Sequence, residues 1–189
     1  IYSPLEIALA AGAIPVSLCG TKNDSIPVAE TMLPRSLCPL IKSSFGFALQ
    51  DSCPYLAASD IVVADTTCDG KKKMYELLAA YKPVVLLQLP QIQDGDAKDY
   101  WRAQYAKLAA RLEKDFGASI TTDDLRDAVR LTNRLRRALK DVLDLAKRNP
   151  SPLTGMDLLG ICFRASFMPD YEQAIALLQA IAAEISRAS

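Results

Sequence analysis

DIVVADTTCDGKKKMYELLAAYKPVVLLQL, residues 60–89, reads as strand, helix, strand. Asp60–Thr66 is apolar and β-branched, Lys71–Tyr81 has helical spacing, and Pro83–Leu89 is a second apolar run of strand length. The short connections predict a parallel βαβ unit with a right-handed crossover. Strands so continuously apolar suit a sheet covered on both faces. The expected class is therefore α/β: a Rossmann-like parallel-sheet half-domain, a fragment of a three-layer α/β/α arrangement.

Toward the N-terminus, Pro4–Ala11 is expected to be a helix closed by Gly12. Ala13–Cys19 (AIPVSLC) suits a buried strand, with Pro15 at its start or on an edge. Gly20–Arg35 is expected to be a loop with a helical turn near Val28–Met32, and Cys38–Leu49 a helix entered through Pro39. Toward the C-terminus the pattern becomes helical only. Asp96–Phe116 ends at Gly117, and Thr121–Asp124 supplies an N-cap with an acidic first turn. Apolar residues then step by three and four from Leu125 to Ala146, until Asn149-Pro150 stops the helix. Two further helices are expected near Gly155–Arg164 and Pro169–Arg187, and no strand after Leu89. The expected division is an α/β half-domain over residues 1–95 and an all-helical segment, packed on it, over residues 96–189.

Charge is balanced at 22 basic and 22 acidic residues, which gives no field for nucleic acid or an anionic membrane. The longest apolar run, Pro83–Pro90, is far short of the ~20 residues that span a bilayer. No signal peptide is visible, and the expected location is the cytoplasm. The chain opens at Ile1 with Ile7 and Leu9 already periodic, as a cut-out domain or a proteolytic product would. It has no histidine, which excludes a Ser–His–Asp triad, a Cys–His pair and any His-ligated metal within these residues.

The chemistry therefore falls to the five cysteines. Cys19 and Cys68 lie at the carboxyl ends of expected strands, where open parallel sheets form ligand crevices. Cys68 precedes Asp69-Gly70-Lys71-Lys72-Lys73 at a helix start, and positive potential there suits a metal-ligating sulfur. Cys38 and Cys53 are each followed by proline, as is the last cysteine of bacterial ferredoxin ligand runs, although the dipeptide alone is a weak signal. Against this stands the plain alternative that all are buried structural thiols. The spacing matches neither a paired CxxC zinc site nor a ferredoxin run. Cys162, in LLGICF, is expected in the core. The lysine triplet lacks the P-loop pattern and is most simply a solvated helix start. The carboxylates Glu6, Asp65, Asp69 and Glu76 lie near these motifs without an assigned role.

Longer stretches resemble a known family. Leu33-Pro34-Arg35-Ser36-Leu37-Cys38-Pro39-Leu40-Ile41-Lys42-Ser43-Ser44-Phe45-Gly46 resembles a cysteine segment of 2-hydroxyacyl-CoA dehydratase and benzoyl-CoA reductase subunits, of the 2-hydroxyglutaryl-CoA dehydratase D-component type. Thr67–Glu76 resembles that family's second cysteine motif. Tyr2-x-Pro4-x-Glu6 with Ala10–Val16 is similar to its opening, and Pro152-Leu153-Thr154-Gly155 to a later segment. Asp51-Ser52-Cys53-Pro54-Tyr55 most resembles the double-cubane cluster branch. The similarity covers mainly the family's N-terminal half.

The resemblance implies an iron–sulfur cofactor, either [4Fe-4S] or an [8Fe-9S] double cubane. Cys38 and Cys68 take the two N-terminal ligand positions, Cys53 is a ligand in the double-cubane case, and Cys19 is a further candidate. It also implies a dimer of identical or paralogous subunits and an ATP-dependent iron–sulfur activator as electron donor. The substrate is then a 2-hydroxyacyl-CoA to be dehydrated, or a small molecule to be reduced. Remaining ligands would come from a C-terminal half, so these residues alone are expected to be inactive. A zinc-binding structural module and a metal-free interaction domain are the alternatives.

Overall fold

The computed structural model describes residues 3–188; Tyr2, in the opening segment of the resemblance, lies outside the described residues. The chain is mixed α/β and divides into two units. One takes Leu18–Arg111 with the residues before Leu5, and the other takes Leu5–Ser17 with Leu112–Ser189.

The first unit is built on the βαβ motif. β1 (Val62–Asp65) and β2 (Val84–Leu87) pair in parallel, with Val62 opposite Val84 and Asp65 opposite Leu87. The crossover is α5 (Asp69–Leu78), which buries Met74 and Leu78 one turn apart on its inner face. Before it come α2 (Ile26–Ala29), α3 (Pro39–Leu49) and α4 (Pro54–Ala58). Ile41 and Phe45, again spaced by four, turn α3 inward onto Ala29, Leu33, Leu56, Val62, Met74 and Leu78. Each large apolar side chain so buried contributes about 2 kcal/mol. Lys82 closes the corner after α4, its Nζ donating to the carbonyls of Ala57 (2.9 Å) and Ser59 (2.8 Å). Leu86 of β2 remains 38% exposed, so one part of the sheet surface is open among the described residues.

α3 is held unusually close to the 20–25 loop. A Cβ at Gly46 would sit 1.8 Å from the Ser25 carbonyl oxygen, and one at Gly20 would sit 2.4 Å from Ser44 Oγ. Ser25 Oγ donates to the Ser43 carbonyl (3.0 Å), and Ser43 Oγ donates to the Lys22 carbonyl (2.6 Å). Glycine and serine are needed here because two backbones pass within a side chain's width.

Two expectations are corrected. Ala13–Cys19 is not a strand: it runs as coil, and the chain passes between units at Ser17–Leu18. Pro15 withholds one ladder donor, and no neighbouring strand takes up the rest among the described residues. Cys19 accordingly packs against the core rather than standing at a strand end. The turn expected near Val28–Met32 forms slightly earlier, as α2, while the short helix α4 was not anticipated at all.

The second unit is helical: α1 (Leu5–Ala10), α7 (Thr122–Leu145), α8 (Gly155–Ser166) and α9 (Tyr171–Ala188), with the last turns of α6 (Ala97–Phe116). α6 ends at Gly117, whose φ of +64° suits glycine at a helix C-terminus. Thr121 and Asp124 form a capping box on α7, and Thr154 and Asp157 form one on α8. Ala138, Val142, Ala165, Ile175 and Leu178 make the core. Arg134 joins α7 to α9 through two bonds to the Glu172 carboxylate (2.5 and 2.7 Å). α1 joins the same bundle, for Glu6 Oε1 accepts from Thr132 Oγ1 (2.8 Å) and from an Arg136 guanidinium nitrogen (2.6 Å). Among the described residues no helix is long and apolar enough to cross a membrane.

Replacing Gly46 by Ala should cost about 3 kcal/mol by denaturant titration, because backbone rather than a flexible side chain must yield. Gly95→Ala, where nothing lies within 4 Å, is the control and should shift stability by less than about 0.5 kcal/mol. A pH effect follows from Glu6. Burial raises its carboxyl pKa, but hydrogen bonds from Arg136, its own backbone amide and Thr132 outweigh burial and hold it below the ordinary 4.5. Its contribution is therefore complete above pH 4.5 and lost as pH falls through the lowered folded value. Thermal melts of Glu6→Gln should show a flatter decline of stability below pH 4.5 than the wild type.

Candidate metal centre

Three cysteines stand at the N-cap of three different helices. Cys38 caps α3 with a non-helical backbone (φ −49°, ψ 127°), and Pro39 follows at the first helical position, where its missing N–H costs nothing. Cys53 caps α4 in the same way before Pro54, and Cys68 caps α5. The Cys53 sulfur accepts from the Leu56 amide and the Cys68 sulfur from the Lys71 amide, each at 3.4 Å. Cys38 makes no such side-chain cap bond. The sulfurs of Cys53 and Cys68 thus lie where unpaired amides leave positive potential.

The structure separates these thiols into two settings. Cys38 and Cys68 are exposed. Their turns are side by side, since a Cβ on Gly70 would come within 2.7 Å of Leu37 Cδ1 and 3.1 Å of Ile41 Cδ1. That contact sets the residue before Cys38 against the residue two beyond Cys68. Both turns lie at the carboxyl end of β1, where Asp65 is buried and its Oδ1 accepts from the Thr67 amide at 3.3 Å. Cys53, by contrast, is 3% exposed within the core, and Cys19 packs against the same cluster. Burial, reinforced by hydrogen bonding to Cys53 and by its charge, pushes the Cys19 thiol up to about 12. Cys19 is therefore a neutral thiol at physiological pH. Cys162 is half-buried on α8, in the helical unit.

The exposed pair fits part of a cluster site. Cysteine sulfurs at two adjacent helix starts, one already accepting an amide hydrogen bond, are the donor type iron–sulfur clusters take. No three Cys, Asp or Glu side chains gather around a common point among the described residues, so the pair fits two ligands of a set completed by other groups.

Beside α5 and β2 lies a cleft of about 990 Å³, lined by Thr66, Lys72, Tyr75, Leu86, Gln88 and Tyr100 among others. Burial, then the charge on Asp65 and on Cys68, pushes the Tyr75 phenol up to about 12, which keeps it a hydrogen-bond donor at neutral pH. Tyr100 Oη donates to Gln88 Oε1 at 2.7 Å. The lysine run is tied into its own helix: Lys72 pairs with Asp69 (3.1 Å) and Lys73 with Glu76 (3.0 Å). Such exposed pairs add little stability.

Reasoning from sequence missed the buried polar residues under Cys38, namely Lys42, Ser43 and Ser44. A signal was present, since Lys42-Ser43-Ser44-Phe45-Gly46 puts small residues and a glycine in an otherwise apolar helix, the mark of a close backbone approach.

The model of the 2-hydroxyglutaryl-CoA dehydratase D-component family (HGD-D) matches residues 1–189. The chain is 48% identical over 185 residues to "Putative dehydratase subunit YjiM" of Escherichia coli (strain K12), covering 97% of this chain and 48% of that protein. It is 28% identical over 158 residues to the (R)-phenyllactyl-CoA dehydratase beta subunit of Clostridium sporogenes, covering 82% of this chain and 41% of that protein. To lactoyl-CoA dehydratase subunit beta of Anaerotignum propionicum it is 25% identical over 186 residues, covering 98% and 49%. The chain thus spans about half the length of the curated relatives it matches. Matched from end to end, it belongs to the 2-hydroxyglutaryl-CoA dehydratase D-component family.

Proposed function

We propose that this chain is the cluster-holding half of a subunit in a 2-hydroxyacyl-CoA dehydratase-like enzyme, with Cys38 and Cys68 as iron ligands. The observation that carries the reading is the pair of exposed thiols on adjacent helix starts. When bound, the cluster supplies one-electron chemistry at low potential. The electron comes from an ATP-dependent iron–sulfur activator, and the substrate is a 2-hydroxyacyl-CoA, as the names of two relatives suggest. A partner subunit and a cytoplasmic location belong to the same reading, as does a sheet extended into Rossmann-like layers by further strands.

The chain's own residues have definable tasks. The Lys71 amide donates to the Cys68 sulfur and so sets its orientation. The cleft beside α5 offers an apolar wall with Tyr75, Gln88 and Tyr100 as polar groups to orient a substrate. A second reading, reduction of a small molecule at a double cubane, draws Cys53 and then Cys19 into the ligand set. The burial of Cys53, against the exposure of Cys38 and Cys68, favours the single [4Fe-4S] cluster.

The test is anaerobic preparation of the full natural protein with counts of iron and sulfide. About four irons per chain support the single cluster, and about eight with nine sulfides the double cubane. Cys38→Ser and Cys68→Ser should each lose most of the iron, while Cys53→Ser should keep it. Iron content unchanged in both Cys38→Ser and Cys68→Ser overturns the ligand assignment.

A further inference from the structure

We infer that Lys42 is a positioning residue for Cys38, its buried ammonium bracing the turn that presents the thiol; this rests on the ligand role proposed above. Lys42 is 6% exposed, yet it lies on α3 between Ile41 and Ser43, both also buried. Its Nζ donates to Glu30 Oε1 at 2.7 Å and to the Arg35 carbonyl at 2.8 Å. Its backbone amide donates to the Cys38 carbonyl at 3.1 Å. One residue therefore grips the Arg35–Cys38 turn at both ends. The same turn is anchored from below by Leu33, which is buried and whose amide donates to the Ala29 carbonyl at 2.8 Å.

Stability does not explain the choice of lysine. Removing an ammonium from water costs several kcal/mol, and an apolar side chain of similar length commonly fills such a site as well or better. What an apolar residue cannot do is hold the Arg35 carbonyl. The Arg35 side chain is 89% exposed, and its Nε stands 3.6 Å from Glu30, so it offers no comparable restraint. Without Lys42 the carbonyl turns outward to water, and the backbone just before Cys38 gains freedom. A ligand sulfur must be held within about half an ångström of its productive place by residues outside the first shell. Cys38 has particular need of this, because no amide caps its sulfur as one caps that of Cys68.

The experiment compares wild type, Lys42→Met and Glu30→Ala in the full natural protein. Hydrogen exchange by mass spectrometry is read in peptides covering residues 33–40 and, as an internal reference, in those covering α5. Iron release to a chelator is followed in the same samples. Lys42→Met should raise exchange over 33–40 about tenfold, as the loss of one charge-assisted hydrogen bond would, and leave α5 unchanged. Iron release should quicken by a similar factor. Glu30→Ala, at a partly exposed position, should give a change of about threefold in the same direction and serves where Lys42→Met does not fold. Unchanged exchange over 33–40 in either folded variant overturns the inference. So does faster exchange with unaltered iron release, since the turn would then matter only structurally. If wild type takes up no iron, the cluster reading has failed instead, and exchange alone still decides whether Lys42 braces the turn.

Discussion

The carbonyl of Ser25 occupies the space that any side chain at position 46 would need, and the presentation of Cys38 depends on that contact. Because position 46 is glycine, the 20–25 loop can lie directly on α3. Ser43 and Ser25 then exchange hydrogen bonds with the backbone across the same narrow gap. The helix is held at its middle by polar contacts and along its inner face by Ile41 and Phe45. Its first turn, and the cysteine that caps it, inherit that fixed direction.

The three N-cap cysteines show how one local device can serve two ends. A helix start presents amides that lack intrahelical partners and leave positive potential, and in Cys53 and Cys68 one such amide also orients the sulfur. In Cys53 the device faces inward, and the sulfur becomes a capped core residue. In Cys38 and Cys68 it faces solvent beside a second copy of itself. Proline after Cys38 and Cys53 adds helical φ at no loss of hydrogen bonding, but it does not decide which way the sulfur points. Packing decides that.

This difference marks what was legible in the sequence. Features governed by neighbours in the chain could be read from it. β1, α5 and β2 followed from apolar runs and spacing; Gly117 and the Thr121–Asp124 box marked the ends of α6 and α7. Cys38 and Cys68 could be picked out as candidates from their motifs. Features governed by distant partners could not. Ala13–Cys19 has the composition of a strand but not a neighbour to pair with among the described residues. Cys53 and Cys38 look alike in sequence, each a cysteine before proline, and only tertiary contacts bury one and expose the other. Lys42 was invisible for the same reason. Its partners lie 12 and 7 residues away, at the C-cap of α2 and in the turn that follows, where no helical period would reveal them.

The placement of α1 carries a consequence for how the molecule comes together. Glu6 meets Thr132 and Arg136 across 126 and 130 residues, with Leu18–Arg111 of the α/β unit encoded in between. Joining chain ends so far apart forfeits about 4 kcal/mol of loop entropy before any constant term. During synthesis α1 leaves the ribosome before most of the α/β unit, and Glu6 can meet Thr132 and Arg136 only once α7 appears. The α/β unit, which ends at Arg111, has been made well before that. The helical unit is thus the later of the two to be completed, and α1 is held for a partner made after the α/β unit.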